Sequence, residues 1–415
     1  MDNTFTLASA GDFVAVDLYQ SANCLYSGAG SYVLSPLSIL YAGALLYFGA
    51  NGPTKDNLNT ALHFRTAFGN KSDILKGVFE NTIKNLPEIG QLNDDPSSNM
   101  TTNRPHIGVK APTEVALING AFFQQSFRAK PAFAQDVSSI LHGKIYDADF
   151  SAKNVKQAQQ FINNWVTTNT FGRIKNMFPD KSIEKSSDFV LANTLYFRAA
   201  WQSHFPIPSM EKKPFYQLGG NITNTIYLEA RRAIPYAEDK VLDVQYIELP
   251  YADDFYMLVI LPRQKDGIRN CEHQINTQTL RDLRAKIPML KAANQRLVNI
   301  MLPKFTIEGS FDLKKLLAKA GVTFAVGPDA DFSNMVASGK PKLSATYHKV
   351  FFSVDEWGTE GAAVSEAPQA IQLASQAAWV PDYAPVDFTA DHPFLFAVLH
   401  RPTESILFVG RFETV

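Results

Sequence analysis

The stretch "EWGTEGAAVSEAPQA", residues 356–370, consists almost entirely of small side chains, and all of its charges are acidic. A core strand needs larger apolar residues, and a flexible linker is usually richer in glycine and serine. Read with a period of two, Glu360 and Glu366 fall on the even-numbered face, while the odd-numbered face from Thr359 to Ala367 is small and uncharged. The stretch could therefore lie in a sheet with its odd face on a core, and its small residues would also suit a strand that slides between two neighbours. From composition alone, a plain mobile acidic loop is the favoured interpretation.

The bulk composition is that of an ordinary globular protein, with 46% apolar and 19% charged residues in a chain of 415. A net charge of −1 argues against a nucleic-acid-binding surface, which needs clustered Lys and Arg. The two cysteines, Cys24 and Cys271, form neither a disulfide framework nor a CxxC metal motif. We therefore expect no nucleic-acid partner, no metal and no cofactor.

Neither a membrane span nor a signal peptide is expected near the N-terminus. No Lys or Arg precedes Lys55, so the positive region of a signal peptide is missing. Residues 32–50 are uncharged, but Ser35-Pro36 is a helix-start signal, which predicts a short strand ending near Leu34 and then a buried helix. Acceptor sequons for N-glycans begin at Asn70, Asn99 and Asn221. The sequons slightly favour an extracellular or cell-surface protein, whereas the missing signal peptide makes the cytoplasm the alternative.

Helical patterns concentrate in the first half of the chain and strand patterns in the second. Apolar spacing predicts helices over 5–20, 36–48 and 154–169, and a later one in "SFDLKKLLAKAG" capped by Ser310 and ended by Gly321. Runs rich in β-branched and aromatic residues predict strands over 188–201, 243–251, 255–262, 297–309, 348–356, 394–400 and 405–412. Without regular βα alternation, this order favours an α+β fold.

Local motifs of enzymes are missing from the sequence. There is no HExxH, no GxSxG elbow and no complete phosphate-binding glycine loop, and the carboxylates are dispersed. We therefore predict that the protein is not an enzyme and has no catalytic residues. A hydrolase whose site is assembled from distant positions is the competing hypothesis.

Several blocks of the sequence resemble the serpin family. "VDEWGTEGAAVSEA" is similar to the family's hinge, and "DFTADHPFLFAVLHRPTESILFVGRF" to its C-terminal signature. "VLSPLSI" (33–39), "FVLANTLYFRAAW" (189–201), "LPKFTIEGSFDLKKLLAKAGV" (302–322) and "KLSATYHKVFFSVDE" (342–356) resemble further family blocks in the family's order. The resemblance covers nearly the whole chain.

The resemblance implies a single domain over residues 1–415, with three sheets, about nine helices and an exposed reactive loop at about 356–386. It also implies a monomer that forms a covalent complex with a target serine protease. The protease cleaves the loop, the loop inserts into the largest sheet as a new strand, and the attached protease is distorted before its ester is hydrolysed. A serpin kept as a carrier, storage protein or chaperone is the alternative.

Three groups of site residues carry over by resemblance. The shutter, a polar cluster beneath the opening point of the main sheet, is Ser35, Asn193 and His348. The breach, where the loop first enters the sheet, is Trp201, Lys304 and Glu356, and we predict an ion pair between the last two. The hinge is Glu356, Gly358, Thr359, Gly361 and Ala363. Gly361 stands where the family usually has Ala, Val364 where Thr is common, and Pro368 lacks the N–H of a ladder bond.

The family's usual spacing from Gly358 places the scissile bond at Gln372–Leu373, with Ile371–Gln372 and Leu373–Ala374 as alternatives. Counting back from Phe388 gives Val380–Pro381 instead, but a proline after the bond resists most serine proteases. No Lys or Arg occurs between Val350 and His400, so a trypsin-like pocket finds no partner. We expect an elastase-like or chymotrypsin-like target.

Overall fold

The computed structural model describes residues 7–26, 30–69, 72–87, 113–293, 296–359 and 384–414. The helices in these ranges are α1 (Leu7–Leu25), α2 (Pro36–Gly49), α3 (Gly52–Ala61), α4 (Phe64–Phe68), α5 (Ser72–Lys84), α6 (Pro131–Ser139), α7 (Val155–Asn169), α8 (Ile268–Gln274), α9 (Thr277–Ala293) and α10 (Leu313–Lys319). The strands are β1 (Tyr32–Leu34), β2 (Glu114–Gln124), β3 (Lys144–Ala148), β4 (Phe189–Ala200), β5 (Lys213–Tyr216), β6 (Ile222–Thr225), β7 (Tyr227–Ile234), β8 (Tyr236–Asp239), β9 (Val244–Pro250), β10 (Phe255–Pro262), β11 (Arg296–Pro303), β12 (Phe305–Asp312), β13 (Leu343–Val354), β14 (Gly358–Thr359), β15 (Val386–Thr389), β16 (Phe394–His400) and β17 (Ile406–Phe412).

Three sheets and one small hairpin organise the described strands. The first sheet has the order β1-β17-β16-β10-β9-β8, and the second has the order β15-β11-β7. The third, called here the main sheet, has the order β12-β13-β14-β4-β2-β3, and β5 pairs with β6 alone. This mixed arrangement confirms the predicted α+β class, and the three sheets match the number that the serpin resemblance implies.

The main sheet changes its pairing halfway along its two central strands. β13 and β4 pair directly and in parallel from Leu343↔Phe189 to His348↔Asn193. Towards the other end β14 lies between them and is antiparallel to both. The central strands therefore start together and are then held apart by the first residues of the predicted hinge.

The main sheet is covered on both faces, so the two sides of each strand belong to different cores. On β4, Leu195, Phe197 and Ala199 face the large core shared with the first sheet. The alternate residues Ala192 and Tyr196 belong to a smaller cluster beneath α7. Burial on both faces explains why the β4 sequence is a nearly continuous apolar run.

The helix-start signal at Ser35 is confirmed in the structure. The Ser35 side chain accepts a hydrogen bond from the Ser38 N–H, and Pro36 occupies the first position of α2. α2 is buried almost throughout, as the uncharged sequence predicts. Among the described helices, none is both long and apolar enough to cross a bilayer.

Several predicted boundaries are wrong. α10 is capped by Asp312 rather than by Ser310, which lies within β12. The predicted strand over 297–309 is two strands in two different sheets, because the chain leaves β11 at Pro303 and Lys304 bonds to Ile226 instead. The elements that were not predicted are α3 to α6, α8, α9, β2, β3, β5 to β8 and β15.

Candidate strand-insertion site

The shutter residues meet in one fully buried hydrogen-bond network. His348 on β13 accepts the Ser35 N–H through Nε2 at 3.0 Å, and its Nδ1 lies 2.9 Å from Asn193 Oδ1 on β4. The Asn193 amide donates to Ser38 O at 2.8 Å and to Asn119 Oδ1 at 2.7 Å. The network therefore fastens β13, β4 and β2 to the N-terminus of α2.

The protonation state of His348 follows from these contacts. Because Nε2 accepts a backbone N–H, the proton of the neutral ring must be on Nδ1, which then donates to Asn193. Burial lowers the pKa of His348 to about 3, although its hydrogen bond to Asn193 acts in the opposite direction. The ring is therefore neutral at physiological pH, and the network carries no charge.

The hinge begins with a tight turn closed by Asp355. Its carboxylate accepts the N–H groups of Trp357 at 2.8 Å and Gly358 at 3.1 Å, and its own N–H donates to Gly358 O. Burial raises the pKa of Asp355, although the two backbone hydrogen bonds favour its charged form. The turn reverses the chain at the end of β13 so that β14 runs back beside it.

The hinge residues Gly358 and Thr359 are buried inside the main sheet. Gly358 is opposite Ala200, and a Cβ on it would lie 2.0 Å from Ala199 O, so only glycine fits this close approach. Thr359 is 1% exposed, and its hydroxyl is hydrogen-bonded to the Tyr251 hydroxyl. The predicted exposed loop of 356–386 is therefore corrected at its start, because its first residues form a strand.

The breach residues clamp this turn from the outside. The Trp201 indole N–H donates to Asp355 O at 2.9 Å, and the Trp201 backbone N–H donates to Trp357 O. The Trp201 ring also stacks on Tyr251 with a centroid distance of 4.1 Å. One aromatic stack thus supports both the turn and the Thr359 side chain.

The predicted ion pair of the breach is present, with Lys304 Nζ 2.8 Å from Glu356 Oε2. Burial disfavours the charged form of Glu356, but the hydrogen bond from Lys304, a backbone hydrogen bond and the Lys304 charge together outweigh it and hold the pKa below its ordinary value. Glu356 O also accepts the Phe205 N–H. Both its side chain and its backbone therefore anchor the start of the hinge.

Sequence reasoning missed three residues of this site: Asn119 in the shutter, Tyr251 beneath the hinge and Asp355 in the turn. Asn119 lies within the apolar run of β2, where a polar residue that must be buried is a signal that could have found it. Tyr251 reaches Thr359 from a distant segment, and local patterns do not contain such a contact. Asp355 accepts N–H groups two and three residues ahead, so an Asp followed three positions later by Gly was a local turn signal that could have found it.

The rest of the predicted loop lies outside the described residues. This applies to Gly361, Ala363 and the candidate scissile residues Ile371, Gln372, Leu373 and Ala374. It applies equally to the sequons at Asn70 and Asn99, whereas Asn221 is exposed at the turn between β5 and β6. Within the described part of the chain, no group of three His, Cys, Asp or Glu residues is placed to hold a metal ion.

Comparison with known proteins extends this description. A sequence model of the family described as "Serpin (serine protease inhibitor)" matches residues 9–415. The chain is 29% identical to the leukocyte elastase inhibitor of Bos taurus over 416 residues, covering 98% of this chain and 99% of that protein. Among solved structures, it resembles Serpin48 of the insect Tenebrio molitor, with a TM-score of 0.79, 24% identity and coverage of 100% and 99% of the two chains. Uncleaved ovalbumin is similar as well, with a TM-score of 0.79, 22% identity and coverage of 99% and 100%.

The fold and the site define a protein whose main sheet accepts a strand from its own loop. The chain belongs to the serpin family, which confirms the resemblance found in the sequence. Serine protease inhibition, the predicted class of function, is confirmed at the level of the family description. The roles of the individual shutter, breach and hinge residues remain predictions.

Proposed function

We propose that this protein inhibits serine proteases as a suicide substrate. The protease serine attacks the carbonyl of the scissile residue, the amide nitrogen of the next residue leaves, and an ester joins the two proteins. The inhibitor supplies no catalytic group of its own, and trapping comes from insertion of the cleaved loop. The observation that carries this proposal is β14, because its two residues already lie between β13 and β4 in the geometry of an inserted strand.

The register of β14 supports continued insertion along one line. Thr359 is opposite Ala199 on β4, so an antiparallel strand that continues from it brings Ser365 opposite Asn193. The same count along β13, from Val354, brings Ser365 opposite His348. Asn193 and His348 are themselves paired in the present structure, so the two counts agree.

The side chains of the hinge match the two faces that this strand would meet. Residues directly opposite in a sheet share a face, so the odd positions follow Thr359 towards the large core. Gly361 and Ala363 are small enough to pass between packed neighbours there. Glu360 would lie opposite Arg198 on the other face. The Arg198 guanidinium already donates to Glu114 at 3.3 Å through one nitrogen, but its buried Nε makes no hydrogen bond to the described residues, so the Glu360 carboxylate would add a second acceptor for the same cation.

The length of the sheet supports the preferred scissile bond. Continuing the register along β13 brings Ala370 opposite Leu343, the first residue of that strand. A strand that fills the sheet would therefore end just before Gln372–Leu373. The apolar loop and the similarity to an elastase inhibitor both support an elastase-like or chymotrypsin-like target.

A gel assay tests this proposal directly. The protein is mixed with pancreatic elastase or chymotrypsin. We expect an SDS-resistant complex at the summed mass less the C-terminal fragment, and mass spectrometry should find that released fragment beginning at Leu373. Cleavage of the loop by a broad panel of proteases without any such complex would favour the non-inhibitory alternative, a carrier, storage protein or chaperone.

We propose further that the protein acts outside the cell, and the hairpin of β5 and β6 offers a test. Asn221 is exposed there and begins an acceptor sequon. On expression in eukaryotic cells we expect secreted protein whose mobility increases after glycosidase treatment, with a smaller shift in Asn221→Gln. Retention in the cytoplasm without a glycan would support the alternative location.

A further inference from the structure

We infer that residues 202–212, called here the β4–β5 segment, form an accessory docking surface for the body of the protease that attacks the loop. This inference rests on the proposed function and adds a contact separate from the scissile bond. Its central observation is that Ile207 is 79% exposed and Met210 is 82% exposed. Two large apolar side chains this exposed, three positions apart in one segment, are what a partner-covered surface requires.

The β4–β5 segment has no regular secondary structure, yet it is firmly attached. The Phe205 N–H donates to Glu356 O at 2.8 Å, which joins the segment to the hinge turn. Arg232 on β7 donates to His204 O at 2.7 Å and stacks over the Phe205 ring at 4.1 Å. The segment is therefore fixed to both the main sheet and the second sheet just before its exposed apolar residues.

Two prolines restrict the backbone around the first apolar residue. Pro206 and Pro208 flank Ile207, and a residue before proline is held in extended conformations. Further along, the Glu211 N–H donates to the Ser209 hydroxyl at 3.1 Å. Presentation of Ile207 on a restrained backbone reduces the entropy lost when a partner covers it.

The position of the segment between the two ends of the loop identifies the partner. One end, Thr359, follows the turn to which Phe205 is bonded. At the other end, Val386 is paired with Val298 on β11, and Val298 is paired in turn with Arg232. Two strand spacings separate Arg232 from Val386, or about 10 Å. A protease that holds the intervening loop in its cleft must therefore stand beside this segment.

The chemistry of the surface specifies the kind of contact. Ile207 and Met210 offer aliphatic area and a flexible thioether, which suit an apolar rim next to the cleft of the protease. Because this contact forms before cleavage, it acts on the encounter between the two proteins. It does not act on the later partition between trapping and hydrolysis.

The test compares Ile207→Ser/Met210→Ser with the unchanged protein. With pancreatic elastase and with chymotrypsin, we expect the second-order rate constant of inhibition to fall about tenfold in the double variant. The stoichiometry of inhibition, the amount of SDS-resistant complex at completion and the melting temperature should stay unchanged. The dissociation constant for elastase whose catalytic serine is replaced by alanine should rise by a similar factor.

Phe324→Ser is the matched control, because Phe324 is a large apolar residue that is 48% exposed at the opposite end of the main sheet. Its N–H bonds to Asn57 on α3, and the nearby helix α10 contacts the start of β13 through Lys314. We expect this variant to inhibit at the unchanged rate.

The outcomes separate this inference from the proposed function. If complexes form but the double variant reacts at the unchanged rate, the docking surface is wrong and the inhibitor remains. If the unchanged protein forms no complex with any protease, the proposed function fails and the docking surface fails with it. Should the double variant melt early, Met210→Gln keeps a similar shape at an exposed site, and an unchanged rate for it also overturns the inference.

Discussion

Gly358 determines whether the hinge can enter the main sheet. A methyl group at this position meets Ala199 O at a distance that real Cβ atoms do not adopt. We therefore expect Gly358→Ala to displace residues 355–359 from the sheet and to lower stability by about 1–3 kcal/mol. Faster amide hydrogen exchange in the peptide covering these residues would be the direct observation.

Gly11→Ala in α1 provides the control for this substitution. A Cβ at Gly11 contacts nothing within 4 Å, so this variant should keep the exchange pattern of the hinge and gain slightly in helix stability. Unchanged exchange at 355–359 in Gly358→Ala would show that the close approach does not hold the hinge in place.

His348 makes the stability of the protein depend on pH. Its pKa is about 3 in the fold, below the ordinary value of 6.5, so the unfolded chain binds a proton between these values and the folded chain does not. The stability that His348 contributes is therefore fully present above pH 6.5 and is lost as the pH falls towards 3. We expect the free energy of unfolding of His348→Gln to depend less on pH in this window.

Urea titrations between pH 7.5 and 4 would measure that slope. Part of the slope remains in the variant, because burial also lowers the pKa of His400 to about 4. His273→Gln is the matched control, because it makes the same substitution at an exposed histidine. An equal slope in His348→Gln and the unchanged protein would contradict the assignment.

At the scale of elements, β14 is a strand of two residues that depends on burying a small side chain. Thr359 lies against Tyr251, where an arginine would be a buried charge without a partner. We expect Thr359→Arg to be cleaved as an ordinary substrate, with loss of the SDS-resistant complex. The measurement is the ratio of complex to cleaved inhibitor on a gel.

Thr306→Arg tests the specificity of this effect. Thr306 is exposed on β12, the edge strand of the same sheet, so its substitution adds the same charge without blocking insertion. Trapping should be unchanged in this variant. If Thr359→Arg still forms the complex in full, insertion does not pass through this position.

The elements that sequence could predict are those with a strong local signal. β10 was predicted with its observed bounds because its run of eight residues is apolar throughout, and α2 because Ser35-Pro36 marks its start. By contrast, the sequence of α9 contains Pro288 in its interior, and a proline there argues against a continuous helix. The position of β14 within the main sheet could not be predicted. Contacts with β4 and Tyr251 determine where Gly358 and Thr359 lie, and their own sequence pattern does not.

At the scale of the whole molecule, cleavage of the loop should stabilise the protein strongly. About ten added residues at roughly 1 kcal/mol of net hydrogen bonding each give about 10 kcal/mol. For a chain of 415 residues, with about 2.1 cal/mol/K of unfolding entropy per residue, that corresponds to a rise in melting temperature of about 12 °C. Calorimetry before and after nicking with a catalytic amount of elastase measures it.

Nicked Thr359→Arg serves as the comparison, because it carries the same cut but cannot extend β14. Its melting temperature should change little. A nicked unchanged protein that melts like the intact one would mean that the loop does not insert after cleavage.

The depth of the shutter divides insertion into two stages of unequal speed. From Thr359 to just before Ser365, the inserting strand meets no direct pairing between β13 and β4. This part can therefore insert on the timescale of β-hairpin formation. At Ser365 it must break the contact of His348 with Asn193. Insertion competes with hydrolysis of the ester, and its slow stage begins at Ser365, about halfway along the sheet. The rate at which the neutral His348 ring separates from Asn193 then sets the ratio of trapped protease to cleaved inhibitor.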